Sequence, residues 1–290
     1  MNYLAHLGLR EPPFGITPDT SFYFPFRSTQ EALNTLLVAV QNGEGFIKIT
    51  GEVGTGKTLL CRKFLGTLQE RDWVSAYIPN PNLEPRTLLL ALGEELDAPL
   101  DPGCDQHGLL RAINRKLLDA ARSGRRVVLC MDEVQAMPLD TLETLRLLSN
   151  LETEKRKLLQ VVLFGQPELD EKLATPSIRQ LRQRITFQYD LTGMNETEVG
   201  GYFAHRMQVA GYRGAPLLSG GARRALCRAS RGVPRLINIL AHKALLVLYG
   251  EGGTRLDARH VRIAAQDTPA AERPSRWPQW LRLSLGSSAK

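Results

Sequence analysis

The chain has 290 residues, 43% of them hydrophobic, so it can bury a sizeable core in one large domain or two smaller ones. Its four cysteines form no CxxC pair and share no spacing with histidines, which argues against a zinc site or a disulfide framework and favours a reducing, cytoplasmic setting. The formal net charge of +7 lies in the C-terminal third, because residues 200–290 carry 13 Arg and 2 Lys against 2 Asp and 2 Glu.

The N-terminal sequence MNYLAHLGLREPPF has no basic stretch followed by an apolar one, so it does not have the pattern of a secretion signal. No apolar run reaches the roughly 18 residues that a membrane-spanning helix needs, and no transmembrane segment is predicted.

Residues 45–190 alternate short apolar runs with longer helical patterns, which predicts a parallel sheet covered by helices. The predicted strands are residues 45–50, 73–79, 126–131, 158–164 and 184–190. The third of these is almost wholly apolar, as expected for a strand that helices cover on both faces.

After Gly193 the pattern becomes helical, and the first helix is predicted to begin at the N-cap Asn195, with Glu198 three residues on. Further helices are predicted near residues 219–230, 233–248 and 257–267. We therefore expect a three-layer α/β domain over 1–193, in which 1–44 are an N-terminal segment and first helix, a basic helical domain over 194–268, and a flexible tail over 269–290. The basic charge suits a solvated helical surface or a protein partner, with nucleic acid or anionic lipid as alternatives.

A phosphate-binding loop is the clearest motif of the chain. The sequence GEVGTGKT follows the first predicted strand, opens a helix and matches the pattern GxxxxGK[ST]. Backbone N–H groups of such a loop surround phosphate oxygens, while Lys57 reaches the β- and γ-phosphates and the Thr58 hydroxyl ligates Mg²⁺. The predicted nucleotide-binding residues here are Gly51, Glu52, Val53, Gly54, Thr55, Gly56, Lys57, Thr58 and Leu59.

Two carboxylates follow the apolar strand 126–131. Asp132 at the strand tip is predicted to hold Mg²⁺ together with Thr58, and Glu133 to orient and polarise an attacking water. Because a glutamate at this place serves hydrolysis and not transfer to a bound acceptor, a small-molecule kinase is disfavoured.

Three later features add polar groups to the predicted site. Gln166 follows the strand 158–164 and lies at the edge of the sheet where phosphates are expected. Three arginines precede the last strand: Arg179, Arg182 and Arg184. Arg235 lies in the first turn of a helix of the basic domain, where the helix dipole does not favour a cation and an anionic partner would.

Together these residues resemble an AAA+ ATPase, and the wording of several segments is similar to the branch that contains general secretion pathway protein A and the MSHA pilus biogenesis protein MshM. The resemblance covers about residues 1–265 and is least generic in PFGITPD and GQPELDEKL. It also includes GFIKITGEVGTGKT, MDEVQAMP, IRQLRQRI and GVPRLINILAHKAL. The fold implied is a P-loop NTPase domain of αβα type followed by a small all-helical lid.

The resemblance also implies roles for residues outside the phosphate loop. Gln166 takes the sensor-1 position, where Asn or Thr is more common, and its alternative is a cap before Pro167. Arg235 takes the sensor-2 position of the lid and contacts the nucleotide. Arg182 is the first candidate for an arginine finger donated to a neighbouring subunit, and Arg184 is the second; all three arginines could instead pair with acidic residues nearby.

Two further roles follow from the same resemblance. Asn80, at the tip of the second predicted strand, matches the polar residue that can hold the catalytic glutamate away from water. Phe14 lies in the segment expected beside the adenine, which needs an apolar slot.

The resemblance implies a cytoplasmic, homo-oligomeric ATPase, with a six-membered ring as one option, that uses ATP and Mg²⁺ to drive or regulate assembly of an MSHA-type pilus or a type II secretion apparatus. Its expected partners are inner-membrane components, to which it would bind peripherally. The alternatives are a DNA-associated ATPase of transposition or replication-initiation type and a nucleotide switch with little turnover. General secretion pathway protein A continues beyond this region, so the end at Lys290 favours the MshM-like form. The tail segment Trp277–Leu285 is expected to dock a partner or to lie at a membrane interface.

Overall fold

The computed structural model describes residues 3–71, 73–101, 103–148, 151–152 and 157–272. The chain divides into two compact units, Pro18–Thr192 and a discontinuous unit of Met1–Thr17 with Gly193–Lys290. The second boundary lies within one residue of the one expected from the sequence. The first 17 residues were expected with the α/β domain, whereas the structure groups them with the C-terminal helices.

The unit Pro18–Thr192 is built on a parallel five-stranded sheet with the order β2-β3-β4-β1-β5. The strands are β1 Phe46–Gly51, β2 Val74–Ile78, β3 Val127–Met131, β4 Gln160–Gly165 and β5 Ile185–Leu191. The five predicted strands are thus confirmed to within two residues at each end. The strands β1, β3 and β4 are buried along their whole length, while β5 at the edge alternates between half-buried and exposed residues and ends at the buried Leu191.

Helices cover both faces of this sheet. Along β3, Leu129 and Met131 join one apolar cluster while Val128 and Cys130 join another, because successive side chains of a strand point to opposite faces. The helices of this unit are α2 Arg27–Asn42, α3 Lys57–Gln69, α4 Pro85–Glu95, α5 Gln106–Arg122, α6 Leu139–Leu148, α7 Glu168–Leu173 and α8 Arg179–Arg184, after the short α1 Tyr3–His6 of the other unit. The first cluster packs under α4, α5 and α6 and the second under α2 and α3, which gives the three layers expected from the sequence.

The other unit is helical in the described residues after Gly193. Its helices are α9 Glu196–Val209, α10 Gly220–Ser230, α11 Pro234–Gly250 and α12 Ala258–Gln266. The predicted start of α9 is confirmed: the Asn195 side chain accepts a bond from the Glu198 N–H at 2.9 Å, and the Glu198 carboxylate accepts one from the Asn195 N–H at 2.8 Å. Two helix-start donors are satisfied in this reciprocal way.

Buried polar side chains explain why the N-terminal segment belongs to the helical unit. Arg206 on α9 is 7% exposed and donates from Nε to the Pro13 carbonyl at 2.5 Å. Asn238 on α11 is 5% exposed and donates from Nδ2 to the Gly15 carbonyl at 2.9 Å. Because buried polar groups need hydrogen-bond partners, these carbonyls fix the segment against the helices.

The predicted tail 269–290 is only partly covered by the structure, and the segment Trp277–Leu285 lies outside the described residues. Among the helices of the described ranges, none combines the length and apolar character needed to cross a bilayer.

Candidate functional site

The loop between β1 and α3 has the backbone of a phosphate cradle. Gly54 and Gly56 have φ angles of +83° and +101°, in the left-handed region that side chains disfavour. At Gly51 a Cβ atom would lie 2.8 Å from Thr55 Oγ1 and 2.9 Å from a side-chain atom of Leu191, so the loop has no room for a larger residue there. The loop leads directly into the N-terminus of α3, where unpaired N–H groups and the helix dipole attract anions.

Lys57 lies across this loop at the first residue of α3. Its side chain is buried, and Nζ donates to the carbonyl oxygens of Gly51 at 2.7 Å and Glu52 at 3.1 Å. Burial lowers the pKa of this amine, and the nearby carboxylates of Glu133 and Asp132 oppose that shift. A phosphate in the loop would offer the ammonium anionic acceptors in place of two neutral carbonyls, so the residues fit a nucleotide.

Thr58 and Asp132 are in direct contact, with the Thr58 hydroxyl donating to Asp132 Oδ2 at 2.6 Å. Asp132 is 2% exposed; burial raises its pKa, while the bonds from Thr58 and from the Glu133 N–H lower it. A hydroxyl beside one carboxylate is a donor set that suits Mg²⁺ bound together with phosphate oxygens and water. Among the described residues there is no cluster of three or more His, Cys, Asp or Glu for a metal held by protein alone.

Glu133 is held in an unusual conformation next to this pair. Its backbone has φ 55° and ψ 37°, the left-handed region, and its N–H donates to Asp132 Oδ1 at 3.0 Å. Its Oε2 accepts a hydrogen bond from Gln166 Nε2 at 2.9 Å and another from Gln135 Nε2. The structure therefore places the Glu133 and Gln166 side chains in direct contact, while the catalytic and sensor-1 roles expected for them stay predictions.

Gln135 is a site residue that sequence reasoning did not identify. Besides its bond to Glu133, its Oε1 accepts the Gln166 backbone N–H at 3.0 Å, and its carbonyl accepts a bond from Lys172 Nζ at 2.6 Å. Lys172 also donates to the Met137 carbonyl at 2.7 Å. The only signal in the sequence was its position two residues after Glu133, which does not reveal contacts with a segment about 30 residues away.

Asn80 lies two residues after the end of β2 and is exposed. Its Oδ1 accepts the Asn82 N–H at 3.3 Å, whereas the hydrogen bonds described for the Glu133 carboxylate come from Gln135 and Gln166. The role expected for Asn80 as a restraint on the glutamate stays a prediction.

The three candidate finger arginines lie on the short helix α8, directly before the edge strand β5. Arg179 and Arg182 are exposed, while Arg184 is half-buried and donates to the Arg146 carbonyl at 3.3 Å. An exposed guanidinium at the sheet edge can reach another molecule, which agrees with Arg182 as first candidate. The finger role itself stays a prediction.

Arg235 and Phe14 belong to the helical unit. Arg235 is exposed in the first turn of α11, where it is available to an anion. Phe14 is 4% exposed, and its ring centroid lies 4.9 Å from that of Phe203, so most of the ring is core. Contact of either residue with a nucleotide stays a prediction.

Comparison with known proteins finds a matching domain family and a sequence relative that aligns over nearly the whole chain. The AAA domain family matches residues 40–173. The chain is 39% identical over 286 residues to general secretion pathway protein A of Aeromonas hydrophila, an alignment that covers 99% of this chain. It spans about half of that relative, 52% of its length.

Solved structures at low sequence identity share the fold. Cdc6p from Pyrobaculum aerophilum aligns with a TM-score of 0.62 at 17% identity, over 86% of this chain and 70% of that one. A Drosophila ORC structure bound to DNA aligns with a TM-score of 0.63 at 18% identity, over 91% and 65%. The Thermotoga maritima RuvB Holliday junction branch migration motor aligns with a TM-score of 0.54 at 17% identity, over 82% and 68%. At these sequence identities the three matches show a shared fold.

Proposed function

This chain belongs to the AAA+ group of P-loop ATPases related to general secretion pathway protein A, and from that premise we propose that it binds ATP with Mg²⁺ and hydrolyses the γ-phosphate bond. The observation that supports the proposal most is the contact between Thr58 and Asp132, beside the buried Lys57 of the phosphate loop. These are the side chains that nucleotide and metal binding require, and they come from two separate loops of the sheet.

Each residue of the loop has a defined task in this proposal. Lys57 exchanges its bonds to the Gly51 and Glu52 carbonyls for bonds to the β- and γ-phosphates, and the N–H groups of the loop bind the remaining oxygens. Thr58 and Asp132 would hold Mg²⁺ at their point of contact, and the metal would supply positive charge beside the phosphate oxygens.

Glu133 is proposed to orient and polarise the attacking water, which makes the reaction a hydrolysis. Gln166, at the carboxyl end of β4, is proposed to place that water and the γ-phosphate relative to Glu133. The finger Arg182, or Arg184 in its stead, and the lid residue Arg235 are proposed to supply positive charge as the transition state forms. Because a finger acts on a neighbouring subunit, this part of the proposal requires a homo-oligomer, such as a ring.

We propose that the output is assembly, or regulation of assembly, of an MSHA-type pilus or a type II secretion apparatus at the cytoplasmic face of the inner membrane. The support is the relative's description as a general secretion pathway protein, matched over nearly all of this chain. Inner-membrane components of such an apparatus are the proposed partners.

The first experiment is phosphate release by the purified protein in the presence of ATP and Mg²⁺, with Lys57→Ala as the inactive reference and Lys63→Ala as the matched control. Lys63 is an exposed lysine on the same helix. Turnover that Lys57→Ala abolishes and Lys63→Ala retains supports the proposal. Absence of turnover with retained ATP binding would replace hydrolysis with the switch function.

DNA association is the second candidate, favoured by one surface of the helical unit. The exposed side chains of Arg224, Arg228 and Arg262 line a groove of about 410 Å³ between α10 and α12. Such a cluster can bind phosphates electrostatically, and a solved neighbour of the same fold is described as bound to DNA. Micromolar binding to duplex DNA at physiological salt, weakening steeply as salt rises, would favour this candidate over the assembly function.

A further inference from the structure

The Glu133 carboxylate is the meeting point of two amide side chains, and this arrangement extends beyond the roles proposed above. Gln135 and Gln166 both donate to the same oxygen, Oε2. We infer that Gln135 is a positioning residue that couples the backbone of Gln166 to the orientation of the Glu133 carboxylate. This inference rests on the proposed ATPase function, in which Glu133 is the catalytic glutamate and Gln135 determines the orientation of its carboxylate.

The amide of Gln135 bridges the two segments through both of its polar atoms. Its Oε1 accepts the backbone N–H of Gln166 at 3.0 Å, and its Nε2 donates to Glu133. The amide group of Gln135 is planar, and its Oε1 must face the Gln166 N–H to accept the hydrogen bond. Once Oε1 is placed in this way, the direction of Nε2 towards Glu133 is also determined. A displacement of the Gln166 backbone therefore moves the donor that holds Glu133.

Hydrogen bonds also hold the backbone around Gln135, so the residue that carries the bridging amide is itself fixed in position. Lys172 on α7 donates to the carbonyls of Gln135 and Met137, at 2.6 and 2.7 Å. Gln135 lies in the single 3₁₀ turn Val134–Ala136, which Glu133 precedes and Met137 follows. The segment after β3 is thus tied to the segment after β4 by the Gln135 amide and by the Lys172 ammonium.

The backbone of Glu133 has a strained conformation, which explains why hydrogen bonds are needed to hold this residue. A left-handed conformation costs a non-glycine residue about 1 kcal/mol or more, and such strain persists only where surrounding contacts hold it. The hydrogen bonds that the two glutamine amides donate to the Glu133 carboxylate oppose relaxation of the turn. They keep the carboxylate beside Asp132 and the phosphate loop.

Gln166 is consequently connected to Glu133 by two routes. The direct route is its own side chain, at 2.9 Å, and the indirect route passes from its backbone N–H through Gln135. Replacing the Gln166 side chain removes only the direct hydrogen bond. The position of the Gln166 backbone would still affect the Glu133 carboxylate through Gln135. Changes at Gln135 cut the indirect route while they leave the sensor side chain in place.

The decisive variants are Gln135→Leu, which removes both polar atoms at similar size, and Gln135→Glu, which keeps an acceptor for the Gln166 N–H and replaces the donor to Glu133 with a carboxylate oxygen. Gln69→Leu is the matched control, because Gln69 is an exposed glutamine at the end of α3. We expect both Gln135 variants to lower kcat at least tenfold, with the Kd for ATP within twofold of wild type and Gln69→Leu unchanged. A kcat within twofold of wild type in Gln135→Leu would overturn the inference.

Amide hydrogen exchange at Gln166 tests the bridge without reference to turnover. In Gln135→Leu the Gln166 N–H loses its acceptor and should exchange at least tenfold faster, whereas Gln135→Glu and Gln69→Leu should keep the wild-type rate. An unchanged rate in Gln135→Leu contradicts the inference. If the wild-type protein releases no phosphate, the proposed function fails, and the exchange rates still decide whether the bridge exists.

A double-mutant cycle measures the coupling itself. If the two routes hold one carboxylate, Gln135→Leu combined with Gln166→Ala should lower kcat by more than the product of the two single losses. Losses that simply multiply would mean that the two glutamines act independently, and the coupling would be wrong.

Discussion

The Thr58 hydroxyl donates a 2.6 Å hydrogen bond to the carboxylate of Asp132, a residue 74 positions further along the chain. The strand β4 lies between β1 and β3 in the sheet, so the two residues do not follow neighbouring strands. The contact therefore joins the first turn of α3 to the residue that follows β3, across the width of one intervening strand.

Removal of the Thr58 hydroxyl should weaken metal use without unfolding the protein. We expect Thr58→Ala to raise the Mg²⁺ concentration for half-maximal ATPase activity about tenfold, since one of the few protein ligands of the metal is lost. A Mg²⁺ titration of phosphate release measures this. Thr67→Ala is the control, because the Thr67 hydroxyl bonds to the Lys63 carbonyl of the same helix α3. An equal Mg²⁺ requirement in both variants would remove Thr58 from the metal site.

Glu133→Gln should separate ATP binding from hydrolysis. The variant keeps the shape of the side chain but cannot accept a proton from water, so kcat should fall by about 10² or more. ATP binding, measured with a fluorescent ATP analogue, should remain within a few-fold of wild type. Glu171→Gln, at an exposed glutamate of α7, should retain full activity. Wild-type turnover in Glu133→Gln would exclude Glu133 from the chemical step.

Arg182→Ala should be rescued by a partner that is itself inactive. A Lys57→Ala subunit binds nucleotide poorly but still carries Arg182, so in mixed oligomers it can complete the site of an Arg182→Ala subunit. We expect each variant alone to be at least about tenfold less active and the mixture to recover part of the activity. Arg111→Ala, at an exposed arginine of α5, should need no rescue. Absence of recovery across mixing ratios would argue against a finger at this position.

Asp170→Asn should destabilise the α/β unit more than Lys48→Met does. The Lys48 side chain is 6% exposed and pairs with Asp170, which is 49% exposed. Loss of the carboxylate leaves a buried ammonium without its counter-charge, at a cost of about 2 kcal/mol, whereas Lys48→Met replaces the ammonium with an apolar chain. Urea unfolding with an unchanged m-value would measure the difference. Equal stability of the two variants would mean that solvent already compensates Lys48.

Gly232→Ala should destabilise the helical unit. Gly232 has a φ angle of +73°, and a Cβ there would lie 2.1 Å from the Met194 carbonyl oxygen and 2.5 Å from the Met194 nitrogen. The backbone must move to relieve both contacts, so we expect a loss of about 3 kcal/mol or more in the free energy of unfolding. Gly250→Ala is the control, since a Cβ at Gly250 meets no atom within 4 Å. Thermal unfolding of the two variants compares them directly.

The sequence sufficed where a local pattern determines the structure. The strand before Asp132 was recognisable because a strand buried on both faces is apolar throughout, and the start of α9 because Asn195 and Glu198 form a cap within four residues. The phosphate loop was recognisable because its glycines are a steric requirement of the backbone. In each case the interactions that matter lie within one turn or one strand.

Contacts between distant segments could not be obtained in this way. Gln135 resembles any polar residue of a turn until β4 brings Gln166 beside it. The segment around Pro13 was placed with the wrong unit, since its carbonyls are bound by Arg206, 193 residues away. The local sequence pattern cannot predict such contacts, because they depend on which distant segments the fold brings together.

The division of the helical unit between the two ends of the chain has a consequence for folding during synthesis. Pro13 and Gly15 are translated before Arg206 and Asn238, which bind their carbonyls and follow about 190 to 220 residues later. The α/β unit between them is complete before those partners exist, and domains fold as units while the chain grows. The segment around Pro13 therefore waits for its hydrogen-bond partners until after the α/β unit has been made, and it reaches its native position late.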